Sequence, residues 1–246
     1  ATKDKGKKEL ADCDKGHVDV LLRALGAHGI NMCAITDHDC FDKDLYFALK
    51  EREGDGCLSK VLPGVEFSVS IRAGGEEPTV IHIVVIFDDR RPELIDGIAR
   101  AVCDEHGKPR YDDFDNGAFA EDGFAKVLRD IGLNAVLIGH EKSAGQEAKR
   151  DVSSLGADRA NEVILTGFVD AVEIRNKRRE LDIKRLIETY PRDAVPFVVG
   201  SDCHDWAAYP GTEGGEISFS SLKCLPTFEG LLMAITDLSR IKVGDC

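Results

Sequence analysis

Short apolar runs alternate with amphipathic stretches along most of the chain. The runs Ile30–Ile35, Val65–Ile71, Val80–Phe87, Ala135–Ile138, Ala171–Ile174 and Phe197–Val199 have strand length. Between them apolar residues recur at helical spacing: Val18, Leu21, Leu22 and Leu25 on one face, Phe124, Val127, Leu128 and Ile131 on another, and Leu181, Leu186 and Ile187 on a third. Strands that alternate with helices predict an α/β fold with a mainly parallel sheet. One connection differs, because only "RAGGEEP" separates the second and third runs. That spacing predicts an antiparallel hairpin centred near Gly74–Gly75, which would set Glu66 roughly opposite His82.

A length of 246 residues, 43% of them hydrophobic, suits one large domain over residues 1–246. No apolar run approaches the ~20 residues of a membrane helix, and the opening "ATKDKGKKEL" lacks the apolar stretch of a signal peptide. The eight cysteines form no C-x-x-C pair, which predicts reduced thiols and a cytoplasmic protein. Cys33 is expected to pack in the core. A net charge of −13 argues against a broad nucleic-acid surface. The basic islands "KDKGKK" and "RNKRRELDIKR" read first as solvated faces.

Chemistry gathers where the apolar runs end. "ITDHDC" brings Asp37, His38 and Asp39 after the first run, and "LPGVEF" brings Glu66. "TVIHIVVIF" carries His82, "AVLIGH" ends on His140, and "PFVVGSDCH" ends on Asp202 and His204. Taken singly, each has a structural explanation: a strand-end histidine is often only hydrogen-bonded, and Asp37 or Asp39 could be a helix N-cap. Together, five segments offer imidazole nitrogen and carboxylate oxygen. In an α/β barrel such strand ends converge on one rim. That donor set, without thiolate, suits catalytic zinc, manganese or iron. Asp202 and His204, two apart, point the same way in extended chain.

These segments resemble the polymerase and histidinol phosphatase (PHP) family. Its "ITDH", "GxE", single-histidine strand, strand-end histidine and "SDxH" appear here as Ile35–His38, Gly64–Glu66, His82, His140 and Ser201–His204, in that order. "SSLKCLPTFEGLLMAITDLSRI", with "GINMCAITDHDCF", "LPGVEFSV" and "HIVVIFDD", is most similar to the PHP domain of TrlF-type proteins. There the closing segment, here 216–246, leads into an ATPase domain. The resemblance implies a distorted (β/α)7 TIM-like barrel and a metal-dependent phosphoesterase with up to three divalent ions. It implies Glu66 as a bridging ligand, His82 and His140 on the second metal, Asp202 on the first, and His38 and His204 on the third. Asp37 and His204 would assist catalysis, and Arg175 and Asn176 would grip the substrate phosphate. One departure matters: the family opens with a strand ending in "DLHxH", and no H-x-H occurs in this chain. The first strand is therefore expected to be missing, with Asp4 as the acid just after it, and the first metal to be weakly held.

The expected activity is hydrolysis of a nucleotide, a nucleic-acid end or a small phosphate ester, with an ATPase domain or partner in the parent protein and no membrane association. Two other readings compete: a PHP barrel that only docks a partner, and a metal-dependent C–N hydrolase of the amidohydrolase type. Serine-hydrolase and Rossmann chemistry find no support, because the chain lacks G-x-S-x-G and a strand-following G-x-G-x-x-G.

Overall fold

The computed structural model describes residues 15–72, 77–141, 150–165, 167–174, 196–201, 203, 205–210 and 218–244. Among the described residues the strands are β1 Met32–His38, β2 Lys60–Ile71, β3 Thr79–Phe87, β4 Phe119–Ala120, β5 Ala135–Glu141, β6 Ala171–Ile174, β7 Phe197–Val198, β8 Phe219–Leu222 and β9 Ile241–Gly244. Its α-helices are α1 Val18–Ala27, α2 Lys43–Lys50, α3 Pro92–Val102, α4 Glu121–Ile131, α5 Ala157–Leu165 and α6 Phe228–Thr236.

The six apolar runs become six strands in the order β1-β2-β3-β5-β6-β7, with β4 attached to the side of β2. This curled, half-barrel sheet is mixed: the pairs β1–β2, β2–β4, β5–β6 and β6–β7 are parallel, and β3 runs against both neighbours. The α/β expectation holds in this form, an arrangement compatible with a TIM-like barrel. A second, two-stranded sheet joins β8 to β9. The helix expected around Leu181, Leu186 and Ile187, the basic islands and the hairpin turn lie outside the described residues.

The hairpin is present, but its register differs from the expectation. Glu66 pairs with Val84, and His82 pairs with Ser68. The pairing is symmetric about residue 75, as the expected centre requires, but the place opposite Glu66 is Val84, and His82 stands two residues along from it. A shift of two preserves the face, because side chains alternate with period two. Both groups therefore still point the same way.

That alternation gives the sheet two separate apolar faces. Val61, Val65, Phe67 and Val69 of β2, with Ile81, Ile83 and Val85 of β3, bury against the helices α1 to α4. On the other face Leu62, Val84, Val136, Ile138, Ala171 and Val198 form an interior that α6 closes with Phe228, Leu231 and Ile235. Thr227 starts α6 by accepting the N–H of Gly230 at 3.0 Å. Gly64 lies low on this inner face, where an added Cβ would stand 2.7 Å from Thr36 Cγ2 and 3.3 Å from the Val85 carbonyl oxygen. A side chain there would have to push aside the flanking strands β1 and β3, which glycine avoids.

Asp42, not Asp37 or Asp39, caps α2, accepting the N–H of Leu45 at 2.9 Å. Cys33 is partly buried against the helix-side core, and burial pushes its thiol up to about 12. None of the described cysteines forms a disulfide. No helix among the described residues is long and apolar enough to cross a membrane.

Candidate metal centre

The inner face carries apolar side chains at one end of its strands and a row of polar ones at the other. His38 pairs with Glu66 across β1–β2, and His140 pairs with Glu173 across β5–β6. His38 and His140 stand at or near the ends of their strands, whereas His82 sits near the start of β3. The reversal of β3 is what brings His82 to the same rim. The rings of His38 and His82 have centroids 4.8 Å apart, and those of His82 and His140 stack at 5.6 Å.

All three imidazoles surround one oxygen. Glu66 Oε1 lies 2.8 Å from His82 Nδ1, 3.5 Å from His140 Nδ1 and 3.6 Å from His38 Nδ1. Glu66 is 5% exposed, and this oxygen receives no well-directed hydrogen bond. Burial by itself would raise the carboxyl's pKa; contact with His140 and His82 and the charge of His38 outweigh it and hold the group well below the usual carboxylate range. A buried oxygen with imidazoles around it and no directed donor is the environment a cation completes. One donor atom each from His38, Glu66 and His82 lies within 4.8 Å of the others. Ligands ~2.1 Å from one ion stand about 3–4 Å apart, so a small contraction suffices. The residues fit a metal ion.

Buried acids anchor the strand ends behind these groups. Asp39 follows His38 at φ 50° and is fully buried. Its Oδ1 accepts the Ser68 N–H at 2.7 Å, and its Oδ2 accepts the Ser68 hydroxyl at 2.8 Å and the Tyr111 hydroxyl at 2.7 Å. Burial, with the charge of Asp39, pushes the Tyr111 hydroxyl well up. The Asp39 N–H donates to the Glu66 carbonyl at 2.8 Å. Glu141 follows His140 and accepts the Ser153 N–H at 2.8 Å and its hydroxyl at 2.6 Å. The sequence carries a trace of this: an acid follows the histidine in both "DHD" and "GHE".

Of the residues expected in the site, the structure brings His38, Glu66, His82 and His140 together. Asp37 pairs with Val65 on the alternate face from His38 and lines a small cavity with Ile35, Phe41, Asp42 and Tyr46. Asp4, Arg175, Asn176, Asp202 and His204 lie outside the described residues. Glu173, buried beside His140, and Arg150, at His82, join the neighbourhood without having been expected there.

No protein-family model matches the chain, and no curated protein is similar to it. Among solved structures, it is similar to a protein from Bifidobacterium adolescentis called a putative metal-dependent phosphoesterase. The identity is 13%, with 89% of this chain and 90% of that one covered, and the TM-score is 0.46. Similarity at that level transfers no function, and the case for one rests on this chain's own residues.

Proposed function

We propose that this chain is a PHP-type metal-dependent phosphoesterase over residues 1–246. The observation that carries the reading is the buried Glu66 Oε1 with the Nδ1 atoms of His38, His82 and His140 around it. Glu66, His82 and His140 would hold one ion, with His38 toward a second; Asp202 and His204 would complete the set. A bound zinc, manganese or iron would polarise a phosphoryl oxygen and supply a nucleophile at neutral pH. The apolar interior below the row excludes water from that side, and Asp39 and Glu141 keep the strand ends in place. Arg175 and Asn176 are candidates to bind the substrate phosphate. The placement of Asp37 on the helix side favours His204 as the group that protonates the leaving oxygen.

The finer reading is the PHP domain of a TrlF-type protein, supported by the 216–246 segment and "GINMCAITDHDCF". It carries an ATPase domain or partner, a nucleic-acid end or nucleotide as substrate, and a cytoplasmic setting. The test is metal content by plasma mass spectrometry on chain purified without chelator, followed by screens against phosphomonoesters, phosphodiesters and amides. Two or more equivalents of metal with phosphoester turnover are expected. Less than one equivalent, with no binding on titration, overturns the reading; turnover of amides alone turns it into the C–N hydrolase.

A further inference from the structure

Arg150 reaches the candidate centre through two bonds to one residue. Its carbonyl accepts the main-chain N–H of His82 at 2.9 Å, and its Nη1 lies 3.0 Å from His82 Nε2. Arg150 is exposed, whereas His82 is 5% exposed, so the guanidinium links solvent to a buried imidazole.

A guanidinium only donates, so Nε2 must offer its lone pair. In the neutral ring the proton then sits on Nδ1, which lies 2.8 Å from Glu66 Oε1 without a well-directed bond to it. An ion held by His82 is incompatible with this arrangement at either nitrogen. On Nε2 it needs the lone pair that Arg150 occupies. On Nδ1 it drives the ring proton to Nε2, where two N–H groups would confront each other. In both cases the guanidinium is released, next to a dication that repels it, from an exposed residue.

We propose that Arg150 and the metal compete for His82, and that the released guanidinium anchors a phosphate oxyanion lying between it and the ion. The inference rests on the metal-dependent phosphoesterase reading and adds a loading rule to it. Without substrate, Arg150 holds His82 in the tautomer that opposes the ion. A phosphate group gives the guanidinium a better, bidentate acceptor, frees His82, and so favours metal binding. Metal and phosphate therefore bind with positive coupling, reciprocal between the two.

The test is Mn2+ titration of the full chain, followed by the paramagnetic resonance of free Mn2+, with and without inorganic phosphate, for wild type and Arg150→Met. The main-chain bond from His82 survives the substitution, and the exposed position tolerates it. Without phosphate, the variant is expected to bind Mn2+ about tenfold more tightly, the worth of one hydrogen bond from a charged donor. Phosphate should tighten Mn2+ binding in wild type and change it less than about twofold in the variant. Equal or weaker Mn2+ binding by Arg150→Met, or the same phosphate gain in both proteins, overturns the competition while leaving the metal reading intact. Absence of Mn2+ and Zn2+ binding by both proteins overturns the two together.

Discussion

Asp39 and Ser68 are joined twice, the Oδ1 of the acid accepting the serine's N–H at 2.7 Å and its Oδ2 the hydroxyl at 2.8 Å. Glu141 and Ser153 repeat the device at 2.8 and 2.6 Å. In each case the acid directly follows a histidine of the candidate centre. A strand end that would otherwise fray is thereby held by two bonds to a neighbouring segment, and the histidine keeps its place.

Replacing Asp39 by alanine removes two acceptor oxygens and the three bonds they receive, and strands the buried Ser68 N–H. A loss of about 3 kcal/mol is expected. Asp39→Asn, which tolerates the positive φ and retains one acceptor, should lose about half as much. Urea denaturation of both variants against wild type measures the difference.

Gly64→Ala forces a methyl to 2.7 Å from Thr36 Cγ2 inside a packed face. The expected cost is about 1–3 kcal/mol. Because Gly64 sits two residues before Glu66 on the same face, metal affinity should fall as well. Thermal unfolding and metal titration on the same preparation report the two effects.

Asp89 joins Lys50 and Lys60, each Nζ at 2.5 Å from Oδ2, with its side chain 5% exposed. Burial pushes the carboxyl up, but the two lysines prevail and its pKa is lowered. A depressed folded-state pKa means the contribution is present above the unfolded value near 3.9 and is lost as pH falls through the folded one. The stability gap between wild type and Asp89→Asn should be level from about pH 5 to 7 and shrink below about pH 4. Denaturation curves taken across that range give the result directly.

Glu66→Gln keeps the shape and removes the charge. Metal affinity should fall by about a hundredfold or more. The melting temperature without metal should fall modestly, since the contacts that keep the carboxylate ionised are lost while the amide is cheaper to bury. The shift that added metal produces in wild type should vanish. Differential scanning fluorimetry with and without Zn2+ separates these outcomes.

Strands β1, β2, β3, β5, β6 and β7 and the convergence of His38, His82 and His140 were legible in the sequence because apolar runs and strand-end polar residues are local signals; β4, β8 and β9 carry no such run and were not. Helix α3 also left a signal, Pro92 followed by Ile95, Ile98 and Val102, but the alternation of strands does not weigh it. The hairpin and its centre were legible, but the partner of Glu66 only to within two residues, since a half-residue change in the centre of a turn moves the opposite position by one; Glu66 and His82 kept a common face because the shift was even. The supporting network was hidden for a different reason. Asp39 meets Ser68 across 29 positions and Arg150 meets His82 across 68, and no local pattern encodes a pair so far apart.

Helix α6 has a consequence for the order of events in the cell. Its Phe228, Leu231 and Ile235 fill the floor beneath the histidine row, yet they emerge from the ribosome after every strand of the main sheet. Until they arrive, the inner face of the growing chain is an open apolar trough. A chain stopped before residue 228 would thus carry His38, Glu66, His82 and His140 above an uncovered floor, and any ion offered to them would meet a looser site than the one that Phe228, Leu231 and Ile235 back.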